Sequence, residues 1–145
     1  MPALHKRLDS QRMNVQVAVL CDSATETSGK LNLTGVFDAI YTQQLPAFHP
    51  QCSVVLRMTF SPVEEGAHKF RLNIMDEDGK LIMPSIEGTL NVSVPEGVHF
   101  ATQHFIVNLF QLKFEQAGLY SIDVTVDDKP EASIPLLVKC VEPGN

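Results

Sequence analysis

The side chains in this 145-residue chain that could do chemistry are its five histidines, three cysteines and a few adjacent carboxylates. His99 and His104 are five apart. On a strand an odd separation points two side chains to opposite faces, so these two do not meet on one metal. His49 and His68 fall in or beside expected turns, where surface or capping roles fit. Cys21, Cys52 and Cys140 are far apart in sequence, and no Cys–Cys or His–Cys spacing matches a zinc site. Each is in phase with the apolar residues of its own segment, which predicts three buried thiols packed as small hydrophobes. A nucleophilic thiol needs a wetter, electropositive setting. Asp76-Glu77-Asp78-Gly79 starts like a calcium loop but lacks the later ligands and closing glutamate of that motif. Glu64-Glu65 and Asp127-Asp128 lie in expected turns, and acid/base work needs a cleft around them. A Gly-x-Ser-x-Gly elbow and a glycine-rich phosphate loop are both missing. The expectation is therefore no catalytic, cofactor-binding or metal-binding residue, and no cofactor. One enzymatic alternative remains: His49, His68, His99 or His104 meeting a carboxylate from a distant position in a dispersed site.

The elements that would position these groups are strands. The clearest stretch is Phe114 to Cys140. Tyr120, Ile122, Val124 and Val126 alternate with Ser121, Asp123, Thr125 and Asp127, the period-two pattern of a strand with one buried face. Asp127 to Pro130 is a turn, and the strand after it pairs back as a hairpin. Pro135 interrupts Ala132, Ile134, Leu136 and Val138. Proline cannot donate to a ladder, so this last strand is expected at an edge, or with that amide position exposed. Gly118, then Tyr120 at the strand start, resembles the tyrosine corner of immunoglobulin-like domains, in which the phenol bonds backward to the backbone. Ile122 stands where antibody domains carry a cysteine, so their disulfide is absent.

Upstream, Val15, Val17 and Val19 alternate inward, with Cys21 continuing the series. Asp22 to Gly29 reads as a polar loop. Lys30 to Tyr41 reads as one strand, with Gly35 marking a bulge or a close backbone approach. Leu45 to Pro50 reads as an extended connection. Gln51 to Phe60 alternates strongly, with Cys52, Val54, Leu56, Met58 and Phe60 inward. Ala67 to Met75 follows, then the Asp76–Gly79 hairpin turn, a short strand Lys80 to Met83, and Ile86 to Val94. Val98 to Leu112 carries two apolar phases: a strand to about Leu109 and then a short corner in which Leu109 and Leu112 both turn inward, with a short helix near 109–116 as the other reading. About eight or nine short strands with turn residues between them predict an all-β antiparallel sandwich of immunoglobulin-like type. Residues 14–142 form the expected single domain, and 1–13 a flexible leader without the apolar segment of a secretory signal.

Hydrophobic residues make up 44% of the chain, enough for a core, and the net charge is −6. That charge argues against nucleic acid, whose phosphates need a basic face. No apolar run approaches a membrane span, so no membrane partner is expected. Three cysteines without a signal sequence predict a cytoplasmic protein.

Val19-Leu20-Cys21-Asp22, Gly29 through Asp38, Leu45-Pro46 and Gly118-Leu119-Tyr120 together resemble a family of small, uncharacterised bacterial proteins, over about 14–141. The resemblance implies a bacterial source and a stand-alone domain, and brings no activity, cofactor or site residue. The function class expected is a non-catalytic interaction module whose partner is a protein, or the chain itself through an edge strand. Loops Asp22–Gly29 and Leu45–Pro50 are further contact candidates. The alternative is a sandwich that holds a small ligand between or beside its sheets.

Overall fold

The computed structural model describes residues 12–142. The leader expected over 1–13 lies, except for its last two residues, outside the described residues. Among the described residues the fold is all-β, with nine strands in two sheets and one short 3₁₀ turn, Pro62–Glu64. The strands are β1 (Asn14–Thr27), β2 (Lys30–Phe37), β3 (Ala39–Thr42), β4 (Ala47–Phe60), β5 (Gly66–Met75), β6 (Ile86–Val92), β7 (Ala101–Phe114), β8 (Gly118–Val126) and β9 (Lys129–Cys140). The first sheet runs β2-β1-β4-β7 and the second β3-β9-β8-β5-β6.

One apolar cluster lies between the sheets. Val54, Leu56, Met58 and Phe60 of β4 meet Phe70, Leu72 and Ile74 of β5 and Ile122, Val124 and Leu136 of the β8–β9 hairpin. These are the inward phases that alternation predicts. The Tyr120 hydroxyl donates to the Gln116 carbonyl at 2.6 Å, and its ring packs edge-on against Phe114 at 5.0 Å. The corner bond suggested by Gly118 and Tyr120 is therefore present. The β8–β9 turn is two residues, Asp127 and Asp128, with φ of 52° and 64°. Positive φ at both positions is what a tight hairpin matched to strand twist requires.

Several expectations are corrected. The sheets are not wholly antiparallel, because β3 runs parallel to β9. The segment 30–41 is two strands: the chain leaves the first sheet at Asp38, whose carbonyl accepts from the Leu137 amide at 2.8 Å, and continues as β3 in the second. β9 is an edge only before Leu137. Beyond that point β3 covers it, and Pro130 and Pro135 lie outside the covered part, where no amide is needed. Lys80 to Met83 contributes a single bridge, Met75 with Leu81, in place of a strand. The Asp22–Gly29 loop does not exist. β1 runs on to Thr27 and turns into β2 through Ser28 and Gly29 alone. Leu45–Pro50 is not a loop throughout either, since β4 begins at Ala47.

One phase error in β1, and the expected inward turn of both Leu109 and Leu112 in β7, have local backbone causes. A register shift between Val15 and Val17 turns Val17, Val19 and Cys21 to the outer face, while Ala18 and Leu20 pair with core residues Leu56 and Val54. In β7, Leu109 and Leu112 are both buried because Gln111 takes a φ of 53° and flips the strand's face. No helix forms over 109–116. Pro50 of β4 stands opposite Gln111, so both strands flip together without changing register. Gly35, at φ 67°, stands opposite Asp22 on the other half of the sheet. Left-handed residues thus interrupt both outer strands of the first sheet, β2 at Gly35 and β7 at Gln111. Past the second break, Ala47, Leu112 and Phe114 turn into the core.

Candidate functional site

Two histidines meet carboxylates. His68, on β5, places Nδ1 2.6 Å from Oδ2 of Asp127 in the β8–β9 turn, and directs Nε2 at the carbonyl of Glu64. Asp127 also accepts from the Lys69 amide at 2.9 Å. The cleft here, about 160 Å³, is lined by Arg12, Glu64, His68, Asp127, Lys129 and Glu131 with Phe60 at its base. The Glu64 carbonyl first, then the Asp127 carboxylate, raises the His68 pKa. The bond from His68 first, then that from the Lys69 amide, lowers that of Asp127. Burial raises that of Glu131. Both ring nitrogens face acceptors, so the imidazolium is the form that satisfies both. Such a ring clamps the 3₁₀ turn to the hairpin. It has no lone pair left to act as a base toward a ligand.

His104 of β7 is the second. Its side chain is 3% exposed, on the outer face of the first sheet. Nε2 accepts from Arg57 Nη1, and Arg57 Nε donates to Gln16 at 2.8 Å. A guanidinium only donates, so the ring proton belongs on Nδ1. Nδ1 makes no hydrogen bond of good geometry, and Oε1 of Glu26 lies 3.0 Å from it. Glu26 belongs to the far part of β1, beyond the kink at Asp22. The β1–β2 hairpin therefore bends back as an arm over the outer face and brings β1 against β7, although β4 lies between them in the sheet. Sequence reasoning missed this network because its three members are 31 and 47 residues from one another along the chain. The period-two phase correctly put Arg57 on the outer face of β4.

The remaining candidates do not converge. His49 stacks on Phe37, with ring centres 5.4 Å apart, and His99 is exposed in the turn before β7. Asp76 holds its own hairpin, accepting from the amides of Asp78 and Lys80 at 2.9 Å each. Glu65 accepts from the Val94 amide at 3.0 Å. Cys21 and Cys52 are buried, and burial raises both thiol pKa values, that of Cys52 to about 11. Cys140 is exposed, against expectation, because β9 ends there and the chain leaves the core.

The feature least accounted for by packing is β7 itself. It is fourteen residues long and lies at the edge of the first sheet, so every second residue turns its N–H and C=O away from β4. From Ala101 to Leu112 it carries no Asp, Glu, Lys, Arg, Gly or Pro. The other edges have such devices: β2 has Lys30 and Gly35, β6 has Glu87 and Gly88, and β3 is four residues long. Charges, breaks and short length are how edges are kept from pairing. Phe110, 63% exposed, lies on the outer face beside this edge, and Phe100, 56% exposed, just precedes it.

A family model matches residues 16–139. The chain belongs to the DUF6941 family, a family of unknown function. No curated protein matches it. One solved structure similar to the chain is the Pseudomonas fluorescens alkylpurine DNA glycosylase AlkC bound to DNA containing an abasic site analog. The identity is 7% and the TM-score 0.47, over 88% of this chain and 30% of that one. The expectation that excludes nucleic acid is withdrawn. The physical reason is that a net charge of −6 describes the whole chain and bars no local basic face. At that TM-score and coverage, no function passes from the glycosylase to this chain. No helix among the described residues is long and apolar enough to cross a membrane.

Proposed function

We propose that this DUF6941 chain is a non-catalytic protein-interaction module that accepts an extended segment of a partner protein as an added strand on β7. The observation that carries this reading is the ten-residue run Ala101–Phe110, ahead of the break at Gln111, an edge without charge, glycine or proline. Main-chain bonds along such an edge supply affinity, and side-chain positions on either face supply selectivity. The His68–Asp127 pair is the best case for catalysis, and its doubly bonded ring speaks against it.

The setting proposed is a bacterial cytoplasm, in keeping with three free cysteines, two of them buried without a partner sulfur. Residues 14–142 are read as one domain, since a single cluster draws on both sheets. An immunoglobulin-like sandwich is the proposed fold type. Its support is the tyrosine corner at the start of β8 and the short β3 lying parallel to the last strand.

A photo-crosslinking amino acid placed at Thr102 or Phe110 tests the reading in cells of the source organism, with Tyr41 on the other sheet as the control. A discrete protein adduct from the β7 positions and none from Tyr41 is expected. No adduct, or the same adducts from all three, contradicts it.

A further inference from the structure

The β1–β2 arm has two unlike sides. Ser23, Thr25, Thr27, Asn32 and Thr34 are exposed, whereas on the other side Ala24 and Leu31 are half-buried, with Glu26 and Leu33 exposed at its margin. Beneath the arm, Cys21 and Val55 are 0% exposed, yet neither belongs to the cluster between the sheets. Ser53, 1% exposed on the same outer face, donates to the Asn108 side chain at 2.6 Å. The outer face of the first sheet therefore has a small covered interior of its own. What holds its cover in place is narrow. Beyond Cys21, β1 pairs with β2 alone and no longer with β4. The contact at the arm's end is Glu26 on the buried Nδ1 of His104, which has no other partner among the described residues. At the arm's root, Gly35 sits at φ 67° with no side chain, and the Asp22 carboxylate lies where a Cβ would stand. A left-handed residue with open space only for glycine makes a local bend without disturbing the pairing on either side.

We propose that the β1–β2 arm is a hinged strap, bent at Asp22 and Gly35 and latched by Glu26 on His104, which covers and uncovers Cys21 and Val55. The latch is the ion-pair contact between the arm and β7, and Arg57 fixes the ring that receives it. Releasing it exposes an apolar outer face flanked by Val19, Val36 and Ile106, next to the edge strand. The strap does not depend on what β7 binds.

Thiol alkylation followed residue by residue with mass spectrometry tests this in the full chain. Cys140 is exposed and serves as the internal standard, and Cys52 lies in the core on the opposite face of β4. In the unaltered protein Cys140 reacts fast and both buried thiols slowly. Glu26→Gln removes the charge at the latch with little change in shape. The expected result is a rise of about tenfold in Cys21 labelling, the scale of a buried polar atom losing its one charged neighbour, with Cys52 unchanged. Unchanged Cys21 labelling, or a rise shared equally by Cys52, overturns the strap.

Discussion

At the scale of single residues, the clearest stabilising contacts are polar groups that fix a corner or tie distant segments. Tyr120 fixes the corner into β8 with one bond to the Gln116 carbonyl. Tyr120→Phe keeps the ring against Phe114 and removes that bond. The expected loss is about 1 kcal/mol, read from the urea midpoint. His68 and Asp127 contribute in a definite pH window. The His68 pKa is raised on folding, so its contribution is complete below about pH 6.5 and fades as pH rises through the folded value. The Asp127 pKa is lowered, so its contribution holds above about pH 4 and fades as pH falls. The advantage of the natural protein over His68→Gln is therefore largest between about pH 4 and 6.5 and shrinks toward pH 9. Urea titrations at pH 5.5 and pH 9 check the sign, and an advantage that grows with pH contradicts the clamp.

At the scale of elements, left-handed residues decide where strands bend. Gln111 holds a φ of 53° in the middle of β7 and lets Leu109 and Leu112 enter the core on either side of it. A β-branched residue is poorly suited to that region, so Gln111→Val is expected to destabilise by about 1–2 kcal/mol in thermal or urea unfolding. Asp128 holds a φ of 64° in the β8–β9 turn and makes one exposed pair with Lys69 at 3.4 Å. Asp128→Gly is expected to stabilise by up to about 1 kcal/mol, because glycine takes that angle freely and the exposed pair contributes little. These positions also mark what a sequence can and cannot say. Alternation in β4, β5, β8 and β9 was legible because each keeps one phase for at least three inward residues of its buried stretch. The inward placing of Val17 and Val19 fails because a bulge leaves no mark in residue type. The face switch at Gln111 did leave one, in the two apolar phases that put Leu109 and Leu112 both inward, and a single left-handed residue makes it without the helix offered as the other reading. Gly35 did carry a signal, and the close approach of Asp22 is what it signalled.

At the scale of the whole molecule, two sheets share a core that hydrophobic patterning announced, whereas strand order and the arm did not show in the sequence. Which strand lies at an edge depends on pairing between segments far apart in the chain. Pro135 pointed to β9 as the edge strand. The long unguarded edge is β7, whose uncharged run reads locally as a buried strand. The His104–Arg57–Glu26 network was hidden for the same reason, since its members come from three strands, one of them folded back as an arm. Whether β7 accepts an added strand is read by hydrogen exchange with mass spectrometry, on the full chain alone and with peptides selected for binding from a random library. Bound peptide is expected to slow exchange within Ala101–Leu112 and to leave the β2 and β6 edges unchanged. Protection that falls elsewhere, or a selection whose binders never protect β7, would contradict it.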